Sequence, residues 1–272
     1  MRKIFRFFTT IYFLIISSLY LAVYGGFVLF WGWVLRTLKN EEISKKYVLN
    51  EVRKFGIRAF SWLFSEVEVE GQENIPNETF IVVSNHQSLM DIPLILGYVT
   101  RGGFIAKREL RRVPGVSWFV KYMGGVFIDR GNIRQTATEL KKVLENLKNG
   151  VNYIIFPEGT RTEDGSVRKF KKGSLSLAVK TGVKVLPVAI WGTMFLVPKG
   201  SLLFDPGKVY MKILPPVDPK EFENEEKLIE HVRSEIIRAV EYLKKKEAGK
   251  GFADAANEME KLAEESKKQP KI

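Results

Sequence analysis

The chain contains no cysteine and only two histidines, His86 and His231, in 272 residues. Disulfides, thiolate nucleophiles and cysteine-ligated metals are therefore excluded, and two histidines cannot build a histidine-rich zinc centre. Charge is also missing from one long segment, because Phe7 to Leu35 carries no charged side chain. That run exceeds the roughly 20 residues with which a helix crosses a bilayer core. It also exceeds the apolar core of a cleaved signal peptide, about 7–15 residues. The segment belongs in or on a membrane.

What is abundant is positive charge. Lysine and arginine number 43 against 31 acidic residues, a net charge of +12. Such a balance implies an anionic partner: nucleic acid, an anionic membrane face, a phosphorylated substrate or an acidic carrier protein. No nucleic-acid-binding module is recognisable, and a membrane segment argues against nucleic acid. The length suits one catalytic domain with accessory helices.

Arg2, Lys3 and Arg6 precede the apolar segment, Arg36 and Lys39 follow it, and Gly25-Gly26 interrupts it. Basic flanks favour the cytoplasmic side. The expectation is two membrane-embedded helices that turn near Gly25-Gly26 and return to the face they entered; a single tilted span is the alternative. Trp31 and Trp33 are expected at the membrane interface. From Asn40 to Phe64, apolar and basic residues alternate at helical spacing, as in an amphipathic helix that lies on headgroups or packs on a soluble domain.

Beyond it, strand and helix signals alternate. Strands are predicted around Val67 to Val69, Phe80 to Val83, Val126 to Ile128, Tyr153 to Phe156, Val185 to Ile190 and Val209 to Leu214. Helices are predicted at Asp91 to Tyr98, Arg134 to Lys148, Ser174 to Lys180 and Lys227 to Lys246. The fold class is α/β, with a mostly parallel or mixed sheet flanked by helices and preceded by an N-terminal membrane-embedded helical hairpin. The expected division is membrane-anchoring helices at 1–64, an α/β domain at 65–246 and a charged tail at 247–272.

Two motifs could carry chemistry. His86 and Asp91 stand five apart after a strand; straddling a strand end and a first helical turn, the aspartate can fix the imidazole tautomer while the other ring nitrogen takes a proton from a hydroxyl. Phe156-Pro157-Glu158-Gly159-Thr160-Arg161 follows another strand, at the end where open α/β sheets place ligands. Gly159 allows close backbone approach, and the Arg161 fork suits a phosphate. Lys107 and Arg130 are further candidates, each just after a short apolar stretch. Ser84 and Ser88 lack a glycine-flanked elbow, which argues against a covalent intermediate. His231, among charged neighbours, reads as a solvated residue.

Four ordered blocks now stand out: Asn85 to Asp91, Gly125 to Arg130, Phe156 to Arg161 and Val185 to Ile190. Together they resemble the glycerolipid acyltransferase family, and within it the bacterial 1-acyl-glycerol-3-phosphate acyltransferases. The resemblance implies His86 as general base, Asp91 as its orienting partner, and Arg130, Glu158, Gly159 and Arg161 as an acceptor-phosphate site, with Lys107 a weaker transfer. It implies an enzyme without metal or cofactor, using acyl-carrier protein or acyl-CoA as co-substrate and lysophosphatidic acid within membrane phospholipid as acceptor. Another lysophospholipid or glycerol-3-phosphate is the alternative acceptor, and a non-catalytic phospholipid-binding protein the alternative class. The expected location is the cytoplasmic face of the inner membrane.

Overall fold

The computed structural model describes residues 2–112, 116–129 and 131–249. Seven strands form one sheet: β1 (Glu66–Glu70), β2 (Phe80–Ser84), β3 (Gly103–Lys107), β4 (Val126–Ile128), β5 (Tyr153–Ile155), β6 (Lys184–Trp191) and β7 (Lys208–Ile213), in the order β1-β7-β6-β2-β5-β3-β4. Every pairing is parallel except β6 with β7. That pair is antiparallel because the chain leaving β6 comes back without crossing over a sheet face. The sheet is therefore mixed, as expected.

Both faces of the sheet are covered, which explains why β2 is apolar without alternation. Phe80 and Val82 point into one core, with Leu94, Ile95 and Phe60. Ile81 and Val83 point into the other, with Leu228, Val232 and Ile236. The first face carries helices α3 (Glu41–Trp62), α4 (Asp91–Tyr98) and α5 (Val116–Tyr122). The second carries α6 (Ile133–Lys148), α7 (Ser176–Thr181) and α9 (Glu225–Glu247), while the short α8 (Thr193–Leu196) follows β6. Each fully buried Leu, Ile or Phe contributes roughly 1.5–3 kcal/mol.

The N-terminal segment corrects the expected turn. Helices α1 (Arg2–Leu19) and α2 (Gly25–Leu38) are joined by a π-helical turn at Tyr20–Tyr24, and the backbone of Gly25 is right-handed helical. The chain thus stays helical through Gly25-Gly26. Isolated glycines cost a helix only about 1 kcal/mol each. Reversal comes instead at Lys39 and Asn40, where the Asn40 side chain caps α3 by accepting from the Ile43 amide at 2.8 Å, with Glu41 and Glu42 in the first turn. A helical hairpin exists, but its arms are α1–α2 and α3. Helix α3 runs antiparallel to the first arm: Ser44 bonds the Gly32 carbonyl at 2.7 Å, Glu51 the Tyr24 hydroxyl at 2.9 Å and Arg58 the Tyr20 hydroxyl at 2.6 Å.

The amphipathic helix packs on the α/β domain. A Cβ on Gly56 would lie 2.5 Å from the Pro93 carbonyl oxygen and 2.8 Å from the Gly97 nitrogen, so the glycine lets α3 and α4 touch backbone to backbone. His231 also differs from expectation: it is half-buried against the Phe222 ring, 5.0 Å between centroids, and burial lowers its pKa. Of the expected charged tail, residues 250–272 lie outside the described residues.

Candidate active site

Strand β2 lies at the centre of the sheet, with β5 on one side and β6 on the other. The chain crosses β2 between β5 and β6, and the parallel strands end on one rim. Ligands of open α/β sheets bind in such a crevice. His86 and Asp91 sit there, His86 in the turn after β2 and Asp91 as the first residue of α4.

The two side chains meet: His86 Nδ1 is 2.8 Å from Asp91 Oδ2. Asp91 is fully buried, and it is surrounded by donors. The Gln87 and Ser88 amides donate to Oδ2 at 2.7 and 2.8 Å, and the Thr193 hydroxyl donates to Oδ1 at 2.5 Å. These donors arrange Asp91 as an acceptor, which suits the tautomer with the proton on Nδ1 and Nε2 as the accepting nitrogen. The imidazole stacks on Phe156, 4.1 Å between centroids, which fixes its plane. Its side chain is 17% exposed, so it remains reachable from the rim.

The Pro157 to Arg161 turn is tied to the histidine turn from two directions. The His86 amide donates to Glu158 Oε1 at 2.9 Å, and the Thr162 amide donates to the His86 carbonyl at 2.9 Å. Glu158 Oε2 accepts from the Arg168 amide at 3.1 Å. Glu158 is only 3% exposed, and burial raises its pKa although both amide bonds act against that shift. Its oxygens thus face the protein backbone, and the residue organises the turn from inside. Gly159 has φ +68°, and a Cβ there would meet the Lys171 side chain at 2.7 Å. Arg161 has one buried guanidinium nitrogen, Nη1, with no hydrogen-bond partner among the described residues. A buried donor without a partner costs about 1–3 kcal/mol, and an anion bound there would recover it.

Two other candidates are placed differently. Lys107 ends β3 on the same rim but is exposed, its nearest ion-pair partner being Glu109 at 4.0 Å. It is not drawn to His86. Arg130 lies outside the described residues, although the neighbouring Asp129 pairs with Arg108 at 2.7 Å. Thr193 has no local motif to mark it; it reaches Asp91 because Gly192, at φ +100°, turns the chain sharply out of β6.

An apolar cavity of about 190 Å³ lies between α4 and the N-terminal helices. Its lining includes Val28, Val52, Ile92, Leu96, Phe104 and Phe119. No three or more of His, Cys, Asp and Glu are grouped to hold a metal among the described residues.

Known proteins resemble this chain in both sequence and fold. Residues 66–191 match the family described as Acyltransferase. A 1-acyl-sn-glycerol-3-phosphate acyltransferase of Borreliella burgdorferi is 36% identical over 195 residues, 69% of this chain and 77% of that protein. The chloroplastic 1-acyl-sn-glycerol-3-phosphate acyltransferase LPAT1 of Arabidopsis thaliana is 39% identical over 140 residues, 51% of this chain but only 39% of that protein. The crystal structure of the 1-acyl-sn-glycerophosphate acyltransferase PlsC from Thermotoga maritima superposes with a TM-score of 0.84 at 56% identity, covering 90% of this chain and 98% of that one. With the paired histidine and aspartate at the rim and likeness over most of two relatives' lengths, the chain belongs to the acyltransferase family.

Proposed function

We propose that this protein transfers a fatty acyl group from acyl-carrier protein or acyl-CoA to the sn-2 hydroxyl of 1-acyl-sn-glycerol-3-phosphate, giving phosphatidic acid. The observation that carries the reading is the bond from His86 Nδ1 to a buried, donor-saturated Asp91. It leaves Nε2 free to remove the acceptor's hydroxyl proton as that oxygen attacks the thioester carbonyl. The new C–O ester bond forms, the C–S bond breaks, and the proton passes from His86 to the departing thiolate. Asp91 stabilises the transient imidazolium, and general-base assistance of this kind is worth about 10²–10⁴-fold.

The acceptor phosphate belongs at the Gly159 to Arg161 turn. Its support is the partnerless Arg161 Nη1 and the Lys171 side chain over Gly159. Glu158 serves by holding that turn against the His86 backbone, and Arg130 and Lys107 would add positive charge along the same rim. The apolar cavity beside α4 suits a hydrocarbon chain.

The helical module at 1–64 places the 65–246 domain at its substrate. The helix Ile4–Leu38 is long and apolar enough to cross a bilayer, and only 22% of its most apolar window is buried. A crossing would, however, bring Glu51, Lys54 and Arg58 of α3 with it, since Glu51 and Arg58 hold Tyr24 and Tyr20 midway along the helix. Charged residues at a bilayer centre cost about 2.5–3.5 kcal/mol each on insertion scales. The helix therefore lies along one leaflet, with the domain on the cytoplasmic face of the inner membrane. The test is purified protein given a panel of lysophospholipids and glycerol-3-phosphate with each donor, read by lipid mass spectrometry. Phosphatidic acid from 1-acyl-sn-glycerol-3-phosphate is the expected product; transfer confined to another acceptor would replace the substrate assignment.

A further inference from the structure

The connection from α8 to β7 has a tip that packing does not account for. Leu202 is 77% exposed and its neighbour Leu203 is also exposed. Adjacent exposed leucines at a loop tip form a small apolar patch, which marks an interaction site where it is continuous with a larger one.

Both roots of this loop are fixed to elements already described. At its start, the Ser88 hydroxyl, within the turn between His86 and Asp91, donates to the Val197 carbonyl at 3.0 Å. At its end, the Phe204 amide donates to the Thr10 hydroxyl at 2.8 Å, the Phe204 ring packs on Phe13 with centroids 4.4 Å apart, and Asp205 pairs with Arg6 at 2.6 Å. The loop thus joins the histidine turn to helix α1. Inside it, the Leu203 amide donates to the Ser201 hydroxyl at 2.9 Å and the Ser201 amide to the Pro198 carbonyl at 3.0 Å, so the tip is shaped. Lys199, just before the tip, pairs with Glu163 at 2.8 Å.

We infer that the 198–203 tip is a second membrane-inserting element, which buries Leu202 and Leu203 in the same leaflet as α1 and holds the His86 turn at the lipid surface. The inference rests on the proposed membrane seating of α1. Its occupant follows from continuity: the loop is fastened to Thr10 of α1, and on the helix edge beside Thr10 the side chains of Phe7 and Leu14 are exposed apolar surface. Two leucines bury little area on their own. Added to that edge, they enlarge one apolar surface.

The absence of cysteine makes the test direct. Leu202→Cys, Phe8→Cys and Lys227→Cys, the last an exposed position on α9 at the other sheet face, are each labelled with an environment-sensitive fluorophore. The full chain is then bound to phosphatidylcholine–phosphatidylglycerol vesicles containing lipids with a quencher in the acyl chain. The expected result is a blue shift and quenching at 202 and at 8, several-fold stronger than at 227. Quenching at 8 with a wet, unquenched label at 202 would overturn the loop's role while leaving the seating of α1 intact. Wet labels at both would overturn the seating itself, and the inference with it. A blue shift at 202 that needs no vesicles and grows with protein concentration would assign the tip to a second copy and overturn the lipid assignment.

Discussion

Thr193 donates its hydroxyl to the one Asp91 oxygen that His86 does not touch. Replacing it with valine keeps the shape and removes the donor, leaving a buried carboxylate oxygen unsatisfied at about 1–3 kcal/mol. Thr193→Val is therefore expected to lower kcat with the acceptor KM changing little, and Thr193→Ser should restore most of the loss. An unchanged kcat in the valine variant would remove Thr193 from the positioning of the pair. Arg161 belongs to the same scale. Arg161→Ala should raise the acceptor KM far more than the donor KM, and lysine should rescue only in part because it lacks the planar fork. Steady-state kinetics with each substrate varied in turn checks this. His86 and Asp91 were legible in the sequence because their meeting is local, five residues across one strand end. Thr193 was not, because it depends on how β6 pairs beside β2 and how Gly192 turns the chain. Glu158 was visible as part of a motif, but its inward orientation was not, since no local pattern says which way a buried carboxylate faces.

Element by element, the C-terminal helix α9 is fastened to the edge strand β1 by ion pairs. Lys246 reaches Glu68 and Glu70, and Lys212 bonds Glu70 at 2.8 Å. The Lys246 hydrogen bond holds the Glu68 carboxyl below its usual range; burial pushes the Glu70 carboxyl up, but the bonds from Lys212 and Lys246 outweigh it and the pKa is lowered. A lowered carboxyl pKa contributes stability that is present above the unfolded value, about 4.3, and lost as pH falls through the folded value. Protease nicking of α9 should therefore rise below about pH 4. Lys246→Met should flatten that pH dependence, at a cost near neutrality of less than about 1 kcal/mol for the partly exposed arm. A variant with the wild-type pH dependence would show that the clasp does not hold the helix. The same scale explains where the helical arm reverses. Gly25-Gly26 resembles punctuation, but glycines alone do not end a helix when its flanks are strong apolar formers. Asn40 followed by Glu41 and Glu42 is the physical signal for a new helix, and it lies just past the apolar segment. The central strands were readable from their unbroken apolar runs; β3 was seen only as a short apolar stretch, and its place between β4 and β5 required the sheet.

The whole molecule joins an apolar helical arm, an α/β domain with its candidate site at the rim of β2 and β5, and an excess of positive charge suited to anionic lipid. Composition announced the membrane arm and the anionic partner, but not how the arm lies; that depends on α3, whose charged groups contact the middle of the apolar helix. The proposed reaction stands on His86 as the base for acyl transfer to a lysophospholipid hydroxyl. The most direct measurement is the single-turnover rate of phosphatidic acid formation by His86→Ala with both substrates saturating, alongside circular dichroism to establish that the variant is folded. The expected result is a folded protein whose rate has fallen by about 10²–10⁴-fold; a folded variant with a near-normal rate would rule out His86 as the base.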